Sequence, residues 1–143
     1  LGAVFRTKGF KAEEAAIRER ARELLDYVGI GKYADFKART LSYGDQRRLE
    51  IARALATDPQ LIALDETAAG MTATEKVQLR ELIDRIRNDH RTILLIEHDV
   101  KLVMGLCDRV TVLDYGKPIA EGTPAEVQKN EKVIEAYLGT GGH

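Results

Sequence analysis

Two short apolar segments, separated by an amphipathic one, constrain the fold of this chain more than any other feature. Residues 61–64 are all apolar and run into Asp65 and Glu66, and residues 92–96 form a second short apolar segment. Residues 74–88 between them have helical spacing, with Thr72 or Thr74 as the predicted cap. This order predicts a β-α-β unit, because parallel strands need a crossover connection. Apolar runs without alternation further predict strands that are buried on both faces of the sheet.

Two longer helices are predicted before this unit. Residues 11–28 are rich in helix formers with a broad apolar face, and Gly29 is placed to end the helix. Residues 45–57 again show helical spacing and stop at Asp58-Pro59.

A hairpin and short helices are predicted after the unit. Residues 100–106 form a short helix, and residues 109–113 and 118–121 are two strands joined at Tyr115-Gly116. We expect this hairpin at the edge of the sheet. Thr123 caps a short helix with proline at its first position, and residues 131–138 form the last helix.

Composition describes a globular domain without a dominant charge. The chain has 143 residues, of which 44% are hydrophobic, and its 22 Lys and Arg nearly balance its 23 Asp and Glu. No overall field therefore marks it as a nucleic-acid binder. Cys107 is the only cysteine, which excludes an intramolecular disulfide and a thiolate cluster, and we interpret it as a buried small hydrophobe.

The acidic pair Asp65-Glu66 is the first candidate site. Carboxylates at the exit of a buried strand can divide the work: one holds Mg²⁺ through water, while its neighbour orients or deprotonates an attacking water. Solvated charges at a strand end would give the same pattern. Two further groups of polar residues accompany this pair in the sequence.

The second group is the segment from Leu41 to Asp45, which leads directly into a predicted helix. A serine hydroxyl, a glycine and free helix N-terminal amides make a concavity suited to phosphate oxygens. The same spacing fits a Ser42 that only caps the helix.

The third group is Glu97-His98-Asp99 at the end of the second strand, where His98 is placed to reach a phosphate shared with Glu66. His90 is expected in a polar turn.

In this order the three groups resemble the nucleotide-binding domain of ATP-binding-cassette (ABC) proteins, over nearly the whole chain from residue 11 onward. Residues 41–45, the signature loop, are similar to the family's LSGGQ motif, and residues 61–66 to its Walker B strand. The resemblance implies Glu66 and His98 as catalytic residues and Asp65 as a Mg²⁺ ligand through water. It also implies ATP contacts from Ser42, Tyr43, Gly44 and Asp45. The D-loop is implied at Ala69, Gly70, Met71 and Thr72.

Several residues depart from the family's pattern. Tyr43 and Asp45 replace a glycine and the glutamine of the signature, Thr67 stands where proline usually follows the glutamate, and Thr72 takes the place of the D-loop aspartate. The altered D-loop puts communication between ATP sites in doubt more than hydrolysis. The sequence also contains no G-x-x-x-x-G-K-[ST] phosphate-binding loop, so we expect this chain alone to be inactive.

The resemblance implies an α/β fold: the C-terminal part of a P-loop NTPase, with parallel core strands, flanking helices and a C-terminal β-hairpin. Its expected divisions are residues 1–57 in the helical signature subdomain, 58–123 in the ATPase core and 124–143 in a helical extension. Details such as Leu-Ser-Tyr-Gly and Ile-Glu-His-Asp look most like branched-chain amino acid importers.

The implied function is an ATPase subunit on the cytoplasmic face of the cell membrane. Its implied partners are permease subunits, a second ATPase subunit in a head-to-tail dimer and, indirectly, a substrate-binding protein, with no nucleic acid. Two alternatives stay open. One is an ABC ATPase of DNA repair or translation, and the other is a non-catalytic interaction fragment that only completes another chain's ATP site.

Overall fold

The computed structural model describes residues 7–139. Its strands are β1 (Leu61–Asp65), β2 (Thr92–Ile96), β3 (Val110–Asp114) and β4 (Lys117–Gly122). Its helices are α1 (Lys8–Tyr27), α2 (Tyr43–Leu55), α3 (Ala73–Asn88), α4 (Val100–Leu106), α5 (Pro124–Val127) and α6 (Glu131–Val133). Two 3-10 turns (Gly31–Tyr33 and Ala38–Thr40) separate α1 from α2, and a π-helical turn (Ile134–Leu138) follows α6.

The predicted β-α-β unit is present. Strands β1 and β2 pair in parallel, in a register that runs from Leu61 opposite Thr92 to Asp65 opposite Ile96, and α3 makes the crossover between them. The carboxyl ends of both strands therefore lie at one edge, where ligand sites of parallel sheets are found.

The prediction that both strands are buried on both faces is wrong for the described residues. Ile62 and Leu64 are 4% and 6% exposed, whereas Leu61 and Leu94 are 58% and 53% exposed. Side chains alternate across a strand, and the described helices cover only the face of Ile62 and Leu64. The apolar runs thus form one covered and one open face.

The main core lies between this covered face and the helices. Its fully enclosed members include Ile51 of α2 and Leu79 and Ile86 of α3, with relative exposures of 2%, 1% and 0%. The inward face predicted for α3 is confirmed, since each of its predicted core residues is buried: Leu79, Leu82, Ile83 and Ile86.

The hairpin is present, but its predicted position at the edge of the β1-β2 sheet is wrong within the described chain. Among residues 7–139, strands β3 and β4 hydrogen-bond only to each other and form a separate two-stranded sheet. Tyr115 and Gly116 both have positive φ, 46° and 74°, as a two-residue hairpin turn of type I′ requires. The hairpin packs with α5 and α6 in a second cluster around Val110, Val127 and Val133, against which the half-buried Cys107 also lies.

Side-chain caps fix where the helices begin. Ser42 caps α2, so this helix starts at Tyr43, two residues before the predicted Asp45. Thr72 and Thr123 form complete capping boxes with Glu75 and Glu126. In residues 7–139 no helix combines the length and apolarity that a bilayer crossing needs.

The core of α3 can be tested by truncating its most buried side chain. We expect Ile86→Ala to lower the free energy of unfolding of the chain by about 3 kcal/mol, because it removes buried methyl groups and leaves a cavity. Val77→Ala is the matched control on the same helix. Val77 is 57% exposed, so we expect a change below about 0.5 kcal/mol in urea denaturation. Equal losses in both variants would contradict this core.

Candidate functional site

Two predicted catalytic side chains come together at the carboxyl ends of β1 and β2. The Glu66 N–H donates to the Ile96 carbonyl at 2.8 Å, which extends the strand pairing by one residue beyond Asp65. Nδ1 of His98 lies 3.4 Å from Oε1 of Glu66, and these side chains are 67% and 56% exposed. A carboxylate and an imidazole thus face each other where solvent and a ligand can reach them.

Glu66 has a backbone conformation that side-chain-bearing residues seldom adopt. Its φ is 47°, in the left-handed region, and the Ala69 N–H donates to its carbonyl at 3.1 Å. The turn that follows is packed inward, since Thr67 and Ala68 are 6% and 2% exposed. Such conformations cost of order 1–3 kcal/mol and persist where the surrounding structure enforces them.

Glu97 is part of the site, although the sequence alone gave it no role. Its Oε1 accepts a hydrogen bond from the Ala68 N–H at 2.8 Å. Its Oε2 is buried and makes no hydrogen bond to the described residues. This contact ties the turn after Glu66 to the residue just before His98.

Asp99 caps α4 and holds it to α3. Its Oδ1 accepts from the Leu102 N–H at 3.0 Å, and its Oδ2 lies 2.6 Å from the ammonium nitrogen of Lys76. The hydrogen bond from Lys76, followed by the one from the Leu102 N–H, lowers the pKa of the Asp99 carboxyl below its usual value. Asp99 therefore has a structural role beside the Glu66–His98 pair.

The signature loop forms the N-terminus of α2. Oγ of Ser42 accepts from the Asp45 N–H at 3.2 Å, so Ser42 does cap the helix, as its spacing allowed. Gly44 is buried against α3, and a Cβ built on it would lie 2.5 Å from Oε1 of Glu75. Asp45 lies 3.7 Å from Arg48 along the same helix. Because the Cβ position of residue 44 is so close to Glu75, any side chain there would collide with the Glu75 carboxylate.

Glu75 belongs to the capping box of α3 and also faces the signature loop. Its Oε2 accepts from the Thr72 N–H at 2.9 Å and from the Thr72 hydroxyl at 3.1 Å. These bonds, and a weaker contribution from the Gly44 N–H, lower the pKa of the Glu75 carboxyl. One carboxylate thereby contacts the N-termini of both α2 and α3.

Tyr43 connects the signature loop to the D-loop segment. Its hydroxyl accepts from Nη2 and Nε of Arg47 at 2.7 and 3.1 Å, and the guanidinium lies 5.0 Å from the ring centroid. A Cβ built on Gly70 would lie 3.4 Å from the Tyr43 ring. The ring thus packs over a glycine whose φ is 75°.

The remaining D-loop residues have structural contacts. Met71 is 8% exposed in the core, and Thr72 is the α3 cap, while Ala69 donates its N–H to Glu66. No hydrogen bond or ion pair among residues 7–139 joins the signature loop to Glu66 or His98. Among the described residues, the two parts of the candidate site are connected through the Tyr43–Gly70 packing at the D-loop segment and through α3, where Glu75 faces Gly44 and Lys76 pairs with Asp99.

His90, the other histidine among the described residues, lies away from the site. His90 has a φ of 61° and is exposed in the turn after α3, which confirms its predicted turn position. His143 is outside the described residues.

A resident metal site of protein ligands is not formed by the described residues. No three His, Cys, Asp or Glu side chains between residues 7 and 139 lie close enough together to hold an ion. Asp65 is exposed at the end of β1. Its single hard oxygen donor fits Mg²⁺ that takes its other ligands from water and a phosphate-bearing ligand.

Comparison with known proteins agrees with this geometry. The ABC transporter family model matches residues 3–69, and a model of the branched-chain amino acid ATP-binding cassette transporter matches residues 117–143. The branched-chain amino acid transport ATP-binding protein LivG of Salmonella typhimurium is 48% identical over 137 residues, which are 95% of this chain and 54% of LivG. BraF of Pseudomonas aeruginosa, described in the same terms, is 45% identical over 140 residues, 97% of this chain and 55% of BraF.

A solved structure shows the same fold. The ADP conformation of MJ1267, an ATP-binding cassette of an ABC transporter, superposes with a TM-score of 0.77 and 32% identity. The match covers 85% of this chain and 49% of MJ1267. The α/β fold is thus that of an ABC ATPase domain of the P-loop NTPase class.

The chain belongs to the family of ABC transporter ATPases and corresponds to the C-terminal portion of such a protein. Within that family, its curated matches include ATP-binding proteins of branched-chain amino acid transport. The chain spans about half the length of these relatives.

The contact between the signature loop and α3 predicts a strong non-additivity. We expect Gly44→Ala to lower the urea midpoint of the chain, because the new Cβ pushes Glu75 out of its capping box. In a Glu75→Ala background the obstacle is gone. There Gly44→Ala should be neutral or slightly stabilising, as Ala is the better helix former.

Gly9→Ala on α1 is the matched control, because a Cβ built there meets nothing within 4 Å. Simple addition of the Gly44 and Glu75 effects would contradict the contact.

The lowered pKa of Asp99 predicts a contribution to acid sensitivity. The folded-state pKa lies below the ordinary value of about 3.9, so the stabilisation is present above that pH and is lost as pH falls through the folded pKa. Asn can still cap α4 but cannot pair with Lys76. We therefore expect Asp99→Asn to cost about 0.5 kcal/mol at pH 7 and to flatten the loss of stability as pH falls below about 4.

Asp35→Asn is the comparison for this measurement, because the Asp35 side chain is 89% exposed. Urea denaturation at each pH measures both variants. An unchanged pH profile for Asp99→Asn would show that the Lys76 contact does not stabilise the folded chain.

Proposed function

We propose that this chain is part of the ATPase subunit of an ABC importer of branched-chain amino acids, and that it supplies the side of the ATP site that attacks the γ-phosphate. The observation that carries the proposal is the 3.4 Å approach of His98 to Glu66 at the carboxyl ends of two parallel strands. The similarity to LivG and BraF supports the transported class.

In this proposal Glu66 polarises the water that attacks the γ-phosphate. Its carboxylate is more than half exposed and is aimed from a rigid turn rather than from a free loop. His98 directs Nδ1 toward Glu66, which leaves Nε2 on the opposite side of the ring to hold the phosphate. The two side chains would act together, because one activates the water and the other fixes its target.

Asp65 is the proposed Mg²⁺ ligand, acting through water. Bound Mg²⁺ would neutralise charge on the phosphates of ATP. The role of the chain is confined to placing one exposed carboxylate at the end of β1, next to Glu66.

The signature loop would contact ATP held by a second ATPase subunit in a head-to-tail dimer. Ser42 presents a hydroxyl at the N-terminus of α2, where phosphate oxygens are favoured, and Gly44 would add its backbone N–H in exchange for its contact with Glu75. Tyr43 lies between them and Asp45 follows, and contacts with Arg47 and Arg48 hold the Tyr43 and Asp45 side chains. Residues 69–72 would form the D-loop, with Gly70 in contact with Tyr43.

The further partners follow from the same proposal. Permease subunits would hold the ATPase at the cytoplasmic face of the membrane, and a substrate-binding protein would deliver the amino acid to them. Residues 1–57 would belong to the helical signature subdomain, 58–123 to the ATPase core and 124–143 to the C-terminal extension. The near balance of 22 basic and 23 acidic residues favours this proposal over a nucleic-acid-associated ATPase.

The proposal is tested in the complete ATPase subunit that contains this chain, assembled with its permease. We expect Glu66→Gln to lower kcat for Mg-ATP by about 10²-fold or more, because the amide cannot accept a proton from water, while ATP binding persists. Glu81→Gln is the matched carboxylate-to-amide control, since Glu81 is exposed on α3. It should leave kcat unchanged.

The isolated 143-residue chain gives a second readout. We expect no Mg-ATP turnover from it, since its sequence contains no phosphate-binding loop. Turnover by the isolated chain that is lost on Glu66→Gln would contradict this expectation. Unchanged turnover of the Glu66→Gln subunit would overturn the catalytic role.

A further inference from the structure

Glu97 makes a contact that connects the two catalytic segments through the backbone. Its Oε1 accepts from the Ala68 N–H at 2.8 Å. Ala68 lies two residues after Glu66, and Glu97 directly precedes His98. The hydrogen bond therefore joins the turn that carries the proposed base to the segment that carries the proposed phosphate-binding imidazole.

A second hydrogen bond runs beside this contact. The Glu66 N–H donates to the Ile96 carbonyl at 2.8 Å, one residue before Glu97. The backbone N–H groups of residues 66 and 68 thus donate to two consecutive residues, Ile96 and Glu97, at the carboxyl end of β2. Together they fix the offset between the Glu66 and His98 backbones, whose side chains meet at 3.4 Å.

The chemistry of Glu97 argues against a role in stability alone. Glu97 is half-buried, and its Oε2 is withdrawn from water without a hydrogen bond to the described residues. Burying a polar atom without a partner is unfavourable. Residues that break such rules are expected at functional sites. The donor it satisfies belongs to Ala68, which is only 2% exposed and has little access to water as a substitute.

We propose that Glu97 is a positioning residue of the ATPase reaction, which holds the Glu66 turn at the distance from His98 that water activation requires. This inference rests on the proposed function. Glu97 touches neither water nor phosphate in the reaction. It acts through the Ala68 N–H, which sets where the strained Glu66 backbone, with φ of 47°, directs its carboxylate. A small displacement of a catalytic group lowers kcat more than it weakens substrate binding.

The kinetic test uses the complete ATPase subunit assembled with its permease. We expect Glu97→Ala to lower kcat by about ten-fold or more with KM changed by less than about three-fold, as lost positioning predicts. Glu97→Gln keeps an acceptor oxygen for the Ala68 N–H and should restore kcat to within about three-fold of the native value. Glu81→Ala, an equal truncation at an exposed residue of α3, should behave as native.

The structural test uses the 143-residue chain and needs no ATP. Hydrogen exchange measured by NMR should be about ten-fold faster or more at the Ala68 amide in Glu97→Ala, relative to the core amide of Ile86, because the acceptor is gone. Glu97→Gln should keep the native rate. A native rate in Glu97→Ala would overturn the proposal, because the contact would then not hold the turn.

The outcomes separate this inference from the function on which it rests. Absence of turnover in the native subunit overturns the proposed function. Native turnover that persists undiminished in Glu97→Ala overturns only the positioning role. Failure of Glu97→Gln to rescue kcat would also overturn it, since the negative charge of Glu97 would then be what matters. A fall in kcat accompanied by a comparable rise in KM would overturn it as well, since Glu97 would then contribute to substrate binding.

Discussion

The parallel pairing of β1 and β2 is the constraint on which the rest of this structure depends. Its register sets Asp65 opposite Ile96, so the residues that follow each strand emerge side by side at one edge. The pairing also requires a crossover, and α3 supplies it while covering one face of the sheet with its buried side chains. The close approach of Glu66 and His98 therefore follows from the backbone pairing of the two strands. Core packing then holds that geometry in place.

Most elements were predictable because their signals are local. The β-α-β order, the hairpin turn and the caps at Thr72 and Thr123 each depend on a few adjacent residues. The burial of the strands was not predictable in the same way. An apolar run indicates that burial is possible, but which face is covered depends on where distant helices pack, and Leu61 and Leu94 lie on the uncovered face. The separation of the two sheets was not predictable either, because whether the hairpin pairs with β1 or β2 depends on how segments far apart in sequence meet.

For the candidate site too, local features could be predicted from the sequence and contacts between distant residues could not. Glu66 and His98 could be found because strand ends are marked by a change from apolar to polar residues. The contacts that orient them could not, since the partner of Glu97 is a backbone N–H, and every residue except proline carries one. The contact of Gly44 with Glu75 is hidden for a related reason, because it joins the ends of two helices that only the folded core brings together. For Ser42 the structure confirms the cap of α2, and its contact with phosphate stays a prediction.

The left-handed backbone of Glu66 sets two kinds of selection against each other. A glycine at this position would relax the backbone and remove a conformational cost of order 1–3 kcal/mol, yet it would also delete the carboxylate. The change that most relieves the turn is thus the one that most harms the proposed chemistry. Drift toward a more stable chain leads away from function at this residue, so keeping Glu66 requires selection for activity itself. A search for stabilising substitutions that scored folding alone would favour glycine at position 66, and it would thereby remove the proposed catalytic carboxylate.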